Sequence, residues 1–280
     1  RFNVAVMLNL SPDHLDRHGT MAGYAAAKAR IFARQAADDV AVLGQDDALT
    51  VQMGAGLAAR LVPISGAMPQ PGGVWAEGRV LRDDSGPILD LAAAAALPGV
   101  HNAQNAAAAA AACMALGIAR ADIARGIASY PGLAHRQEIV AEADGVVFVN
   151  DSKATNADST ARALASYDRV VWIAGGIAKE GGIAPLAPFF PRIAKAFLIG
   201  RDAPAMAGTL REAGVAHEII GSLEAAVPAA AHAAFAGAAS VVLLSPAAAS
   251  FDQFSGFDAR GDRFRELAQA LIAGQCRRAS

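Results

Sequence analysis

The chain is predicted to be an α/β protein with mostly parallel sheets and helices on both faces. Three observations lead there. Short runs rich in Val, Ile and Leu recur along the 280 residues, interleaved with longer alanine-rich stretches of helical composition. That alternation is the pattern of βα units. The composition, 54% hydrophobic and 18% charged, is ample for packed cores, although alanine buries little area per residue. The length suits two domains rather than one.

Taken in order, residues 4–8 read as a strand, Ser11-Pro12 as a turn and residues 20–35 as a helix. Residues 39–43 are a second strand, followed by a helix near 47–58 and a strand at 60–64. Between residues 72 and 91 the short runs Val74-Trp75 and Arg79-Val80-Leu81, punctuated by Gly and Asp, predict a small hairpin. Residues 102–116 are almost all alanine, a helix by propensity, and 120–129 make another. Tyr130-Pro131-Gly132 breaks the pattern and places a domain boundary there, giving domains 1–132 and 133–280. Downstream, strands at 138–141, 146–149, 170–174, 196–199, 218–220 and 241–244 alternate with helical segments.

Charge and cysteine usage exclude several classes. The net charge is -2 with no basic tract, against broad nucleic-acid or membrane-surface binding. Cys113 and Cys276 stand far apart, so no disulfide framework or zinc knuckle is implied, which fits a reducing cytoplasm. The longest uncharged run, residues 106–119, is too short and too weakly apolar to span a bilayer. The chain opens Arg1-Phe2-Asn3 and enters an apolar run at once, with neither secretory signal nor initiator methionine. It reads as a fragment of something longer.

The most informative stretch is Asn150-Asp151-Ser152-Lys153-Ala154-Thr155-Asn156, directly after Val146-Val147-Phe148-Val149. Polar residues at the carboxyl end of a buried strand stand where open α/β sheets bind ligands. The competing reading is a turn in which Asp151 or Ser152 caps the following helix. Lys28 shares a helical stripe with Met21, Tyr24 and Ile31, so it either snorkels or is buried for a purpose. A buried amine has a lowered pKa, which would let it react with carbon dioxide. Ser11-Pro12-Asp13-His14-Leu15-Asp16-Arg17-His18 could offer metal ligands but matches no zinc template. Asn102 suits a helix cap, whereas Asn105 one turn later could read a purine edge. Arg136 could clamp a phosphate or simply pair with Glu138. Gly175-Gly176 with Lys179 suits an anion, and the small residues before Ser250 allow close approach of a substrate to the backbone. Asp258 and Asp262 read equally well as first-turn helix charges.

In sequence order, the blocks DHLDRH with AAKARIF, HNAQN, GLAHRQE, NDSKATN, AGGIAK and LLSPAAASFDQFSGFDARGDRF resemble the Mur ligases, the ATP-dependent amide-forming enzymes of bacterial peptidoglycan synthesis. The last block is most similar to the D-glutamate-adding member, with Ala248 where cysteine is usual. The resemblance implies a partial P-loop-type central domain, then a Rossmann-like C-terminal domain. It implies joining of D-glutamate to UDP-N-acetylmuramoyl-L-alanine through an acyl phosphate, with ATP and Mg²⁺ as cofactors, in a cytoplasmic enzyme that is monomeric when full length. Position by position, it implies that Lys28 is carbamylated and holds Mg²⁺ with His14. Asn105 would contact adenine beside Asn102 and His101, Arg136 the phosphates and Asp151 the ribose. Lys153 would lie at the reacting centre, and Thr155, Lys179, Ser250, Phe251 and Phe257 would hold D-glutamate.

The family's uridine-nucleotide domain, its Gly-Lys-Ser/Thr P-loop and an upstream acidic Mg²⁺ ligand are absent, so these residues alone are not expected to turn over. The alternatives are another Mur or folylpolyglutamate-type ligase, or a non-catalytic nucleotide-binding remnant. A nicotinamide oxidoreductase is disfavoured, because no G-x-G-x-x-G follows a strand.

Overall fold

The computed structural model describes residues 1–11 and 15–279, with side chains for all of these except 15, 16 and 275–279. The chain forms two compact units, Arg1–Tyr130 and Pro131–Ser280.

The first unit begins with β1 (Val4–Met7), α1 (Leu15–His18), α2 (Met21–Ala29), β2 (Val40–Gly44), α3 (Ala48–Met53) and β3 (Arg60–Ser65). It continues through β4 (Val74–Glu77), β5 (Val80–Asp83), β6 (Gly86–Asp90), α4 (Val100–Ala115) and α5 (Arg120–Ala128). The strands lie in sequence order in one sheet, parallel from β1 to β4 and antiparallel from β4 to β6. The segment expected to be a hairpin is therefore a three-stranded meander joined to the main sheet. Its third strand was missed because Gly86-Pro87 looks like a breaker, yet a proline is tolerated in an edge strand.

Alternate residues of β2 serve opposite faces. Val40 and Val42 pack with alanines of α4 (Ala103, Ala106, Ala107, Ala110), while Ala41 and Leu43 pack with Phe32. Small side chains on α4 let the helix sit close to the sheet. α2 is shorter than the expected helix over 20–35. Thr20 caps it by accepting from the Gly23 amide, and beyond Ala29 the chain closes into i→i+3 turns that send Phe32 into the core. Gln35 is buried and donates to the carbonyls of Phe2 and Val40 instead of extending a helix. α3 is likewise shorter than expected, with Asp47 as its cap.

The second unit comprises β7 (Glu138–Ala143), β8 (Val146–Asn150), α6 (Ala157–Ala165), β9 (Val170–Gly175), β10 (Ile177–Ala178), β11 (Ile193–Ile199), α7 (Ala203–Glu212), β12 (His217–Gly221), α8 (Leu223–Phe235), β13 (Val241–Leu244), β14 (Ala248–Ala249) and α9 (Phe257–Ala279). Its main sheet has the order β12-β11-β9-β13-β8-β7, parallel except for β7, which runs antiparallel to β8. Both faces are covered. Trp172, Leu198 and Leu243 pack with α6 and α7, whereas Val171, Ile173, Phe197 and Val242 pack with α8 and α9. Strands buried on both faces explain the continuous apolar runs in the sequence.

The cap of α6 is Asn156, whose side chain accepts from the Ser159 amide at 2.8 Å. The competing reading, in which Asp151 or Ser152 caps this helix, fails because the turn through 151–155 leaves Asn156 as the last non-helical residue. Asn156→Ala is expected to lower stability by about 1 kcal/mol. The measurement is the urea midpoint, which should fall with an unchanged slope.

Candidate functional site

In the second unit, β8, β9 and β13 are parallel neighbours, so their carboxyl ends and the loops that follow lie at one edge of the sheet. Asp151, Ser152, Lys153 and Thr155 follow β8, Lys179 follows β9 and β10, and Ser250 and Phe251 follow β13 and β14. Phe257 opens α9.

Asp151 is buried at 6% exposure, accepting from the Gln137 amide at 3.2 Å and from the Ser245 hydroxyl at 2.7 Å. Burial pushes its carboxyl up to about 7, although both hydrogen bonds and the nearby Arg136 charge act in the opposite direction. The Tyr167 hydroxyl is raised as well, by burial and then by the Asp151 charge. Each carboxylate oxygen keeps a second lone pair for a ligand hydroxyl.

Lys153 donates its amide to the His135 carbonyl at 3.0 Å and holds Nζ 3.8 Å from the Phe257 ring centroid. A cation against a ring face is anchored without being neutralised, so its charge stays available. Thr155 is partly buried, while Lys179 and Phe251 are exposed. Ser250 is buried at 2% exposure, and its hydroxyl has no hydrogen-bond partner among the described residues. A buried hydroxyl without a partner costs free energy, which an acceptor on a ligand would recover.

Arg136 is exposed, between His135 and Gln137, whose φ values of 63° and 47° are both left-handed. It is not paired with Glu138, which instead binds Arg265 with both oxygens at 2.8 Å and accepts the His135 amide. The ion-pair reading of Arg136 therefore fails, because Arg265 on α9 reaches Glu138.

Two residues here have no role assigned from the sequence, although Asn150 lies in the stretch it marks as most informative. Asn150, fully buried, donates toward the Gly261 carbonyl and His135 Nδ1, each at 3.1 Å, joining β8 to α9. Arg260 is 1% exposed and makes five hydrogen bonds, all to uncharged acceptors. Its partners are Ser152 Oγ and O, the Gly175 carbonyl and, twice, the Ala248 carbonyl. The sequence does carry a signal for it, since Arg260 shares an i, i+4 stripe with Phe264 and Ala268, both buried.

In the first unit, α4 starts at Val100 with Gly99 as its cap, so Asn102 is not the cap. Asn102 donates to the Pro98 carbonyl at 2.7 Å, and Asn105, exposed, donates to Asn102 Oδ1 at 3.1 Å. His101 is half-buried. Lys28 is exposed rather than buried, with Nζ 5.3 Å from the Tyr24 ring centroid. The stem lies back toward Tyr24, one turn earlier, and leaves the amine in solvent, which is the snorkelling arrangement. His14 lies outside the described residues. Among the described residues no cluster of three or more His, Cys, Asp or Glu could hold a metal. An ammonium cannot ligate a cation, so Lys28 fits Mg²⁺ only if converted to an oxygen donor such as a carbamate.

At the ends of β2 and β3, Asp46 accepts from the Gly66 amide and Gln104 Nε2, and Gln104 accepts from Asn9. These polar links join three strand ends to α4 and were not anticipated.

The chain thus has two α/β units, the second with a polar edge that combines a cation, a buried carboxyl and a hydroxyl with no partner among the described residues. The chain belongs to the Mur ligase family. The Mur ligase middle domain matches residues 1–113 and the Mur ligase glutamate ligase domain residues 135–248. It is 51% identical over 277 residues to a UDP-N-acetylmuramoylalanine–D-glutamate ligase of Nitrobacter hamburgensis, covering 96% of this chain and 59% of that protein. It is 50% identical over 282 residues to the ligase of that name from Caulobacter vibrioides, covering 97% and 59%. The chain thus spans about three-fifths of the length of these relatives. In fold it resembles MurF from Acinetobacter baumannii, with a TM-score of 0.69 at 20% identity over 95% of this chain and 60% of the other. It also resembles the UDP-N-acetylmuramate-alanine ligase MurC of Thermotoga maritima, at 0.68 and 17% over 96% and 60%.

Proposed function

We propose that this chain supplies part of the central ATP-binding domain, 1–132, and a C-terminal domain, 133–280, that binds the amino acid and part of ATP, in an ADP-forming ligase. The reaction joins D-glutamate to UDP-N-acetylmuramoyl-L-alanine in peptidoglycan synthesis. The observation that carries the reading is the strand-end edge of the second unit. There Lys153 is poised on Phe257, Ser250 keeps a buried hydroxyl without a partner among the described residues, and Asp151 lies at the end of the same strand as Lys153. The names of relatives about 50% identical along nearly the whole chain support it.

In this reading ATP phosphorylates the alanyl carboxylate, and the amine of D-glutamate attacks the acyl phosphate with release of phosphate. Asn105 beside Asn102 would contact adenine, Arg136 the phosphates and Asp151 the ribose hydroxyls. Thr155, Lys179, Ser250, Phe251 and Phe257 would hold D-glutamate, with Lys179 and Ser250 on its carboxylates. Fixing the amine beside the acyl group supplies rate through proximity. Lys153 would neutralise charge that develops as phosphate moves. When bound by His14 and a carbamylated Lys28, Mg²⁺ would supply further neutralisation of phosphate charge.

The enzyme would act as a monomer in the cytoplasm, without nucleic-acid or membrane partners. No described helix is long and apolar enough to cross a membrane.

The test completes the chain with the part of the Caulobacter vibrioides relative that it does not cover. ADP release is then measured with ATP, Mg²⁺ and UDP-N-acetylmuramoyl-L-alanine while the amino acid is varied. Turnover dependent on D-glutamate is expected. A preference for L-glutamate or L-lysine would reject the assignment in favour of another amino-acid ligase.

A further inference from the structure

We propose that Arg260 is a positioning residue for the amino-acid side of the site, holding three strand-end loops together and presenting a buried positive charge to a dicarboxylic amino acid. The proposal rests on the ligase reading above. Its five hydrogen bonds reach the loop after β8 through Ser152, the end of β9 through Gly175 and the short strand β14 through Ala248. These are the segments that carry Lys153 and Thr155, Lys179, and Ser250. The link to α9 closes on itself. Arg260 Nε donates to Ser152 Oγ at 2.9 Å, and the Ser152 hydroxyl donates to the Phe257 carbonyl at 2.7 Å. The Phe257 ring beneath the Lys153 ammonium is thereby tied to the loop that bears the lysine.

The charge is the second part. A buried guanidinium normally binds a carboxylate, but among the described residues none forms an ion pair with Arg260. Burial pulls it down to about 10, still cationic at neutral pH, with the Asp252 carboxylate acting the other way. A cation solvated only by carbonyl and hydroxyl oxygens leaves a positive potential at this edge. In a low-dielectric setting that potential favours an anionic ligand. Gly176 packs directly against this arrangement, since a Cβ there would lie 2.1 Å from the Ala249 carbonyl oxygen and 3.4 Å from Arg260 Nη1.

The experiment compares Arg260→Lys, Arg260→Gln and Ser152→Ala with wild type in the completed enzyme. For Arg260→Lys the KM for D-glutamate should rise at least tenfold while the KM for ATP stays within twofold, because lysine keeps the charge but cannot span three loops. Arg260→Gln, which also removes the charge, should raise it further. Ser152→Ala, which removes the hydroxyl that accepts from Arg260 Nε and donates to the Phe257 carbonyl but leaves the other four Arg260 hydrogen bonds, should give a smaller rise. Equal rises in both KM values, or a D-glutamate KM within twofold of wild type in Arg260→Lys, would overturn the proposal. Hydrogen exchange supplies a readout that needs no substrate. In Arg260→Lys, residues 152–155, 175–179 and 248–251 should lose protection together at least tenfold, with β11 and α7 unchanged. Unaltered protection in those loops, or uniform loss across the unit, would overturn the positioning role even if wild type failed to use D-glutamate. That failure in wild type would count against the ligase reading alone.

Discussion

Lys153→Ala is expected to lower kcat by about 10²–10³-fold, the range seen when one preorganised charge-stabilising donor is removed from a reacting centre. The side chain is already held before any ligand arrives. Its backbone is tied to the His135 carbonyl and its ammonium rests 3.8 Å from the Phe257 ring centroid. Preorganisation of this kind stabilises the transition state without reorganisation during the reaction. The KM for D-glutamate should change little, because in the proposed reaction the lysine would act on migrating phosphate rather than on the amino acid. Lys153→Arg should restore less than a tenth of the rate, since a planar guanidinium does not reproduce a compact ammonium in that space. ADP release by the completed enzyme measures both variants. A loss below threefold for Lys153→Ala would remove the residue from the reacting centre.

Asp151→Asn is expected to stabilise the second unit at pH 8 while impairing ATP use. The sign follows from linkage. Burial raises the native pKa of Asp151 to about 7 from 3.8, so between those values the folded state binds more protons than the unfolded one. Its contribution is therefore fully present below about pH 4, declines as pH rises, and is lost above about pH 7. At about 1.4 kcal/mol per pH unit, that window sets a ceiling of about 4 kcal/mol. Asparagine is neutral throughout. Its oxygen can still accept from the Gln137 amide, and its NH₂ can donate to Ser245 Oγ, whose hydroxyl then turns toward Thr160 at 3.1 Å. The melting temperature of the variant should exceed wild type at pH 8 and match it at pH 4. If Asp151 binds the ribose, the KM for ATP should rise about tenfold, one lost charge-assisted hydrogen bond. Identical melting profiles of wild type and variant across this range would contradict the linkage.

Much of the fold was legible because strand and helix periodicities are local. The strands of the second unit, the alanine-rich α4 and the break near Pro131 follow from apolar runs, propensity and backbone restriction, none of which needs a partner to be recognised. The shortened α2 and α3 and the meander at β4–β6 were not legible. Where a helix stops depends on whether the next apolar side chain gains more by turning inward, as Phe32 does. An edge strand such as β6 is defined by its neighbour rather than by its own composition.

The site divides in the same way. The chain's own pattern places polar groups at the ends of buried strands, and since β8, β9 and β13 are parallel, those ends converge once the sheet forms. Sequence order could therefore gather Asp151, Lys153, Thr155 and Ser250. It could not decide which charged residue on an apolar helical stripe is buried. Lys28 and Arg260 carry the same signal, yet Lys28 is exposed and Arg260 is 1% exposed. One lies in the last turn of a short helix, where the stem can carry its charge outward. The other lies in the first turn of α9, where three strand ends supply carbonyl and hydroxyl oxygens for all five of its hydrogen bonds. Periodicity identifies a face, but the solvation of a charge on that face depends on what distant parts of the chain bring to it.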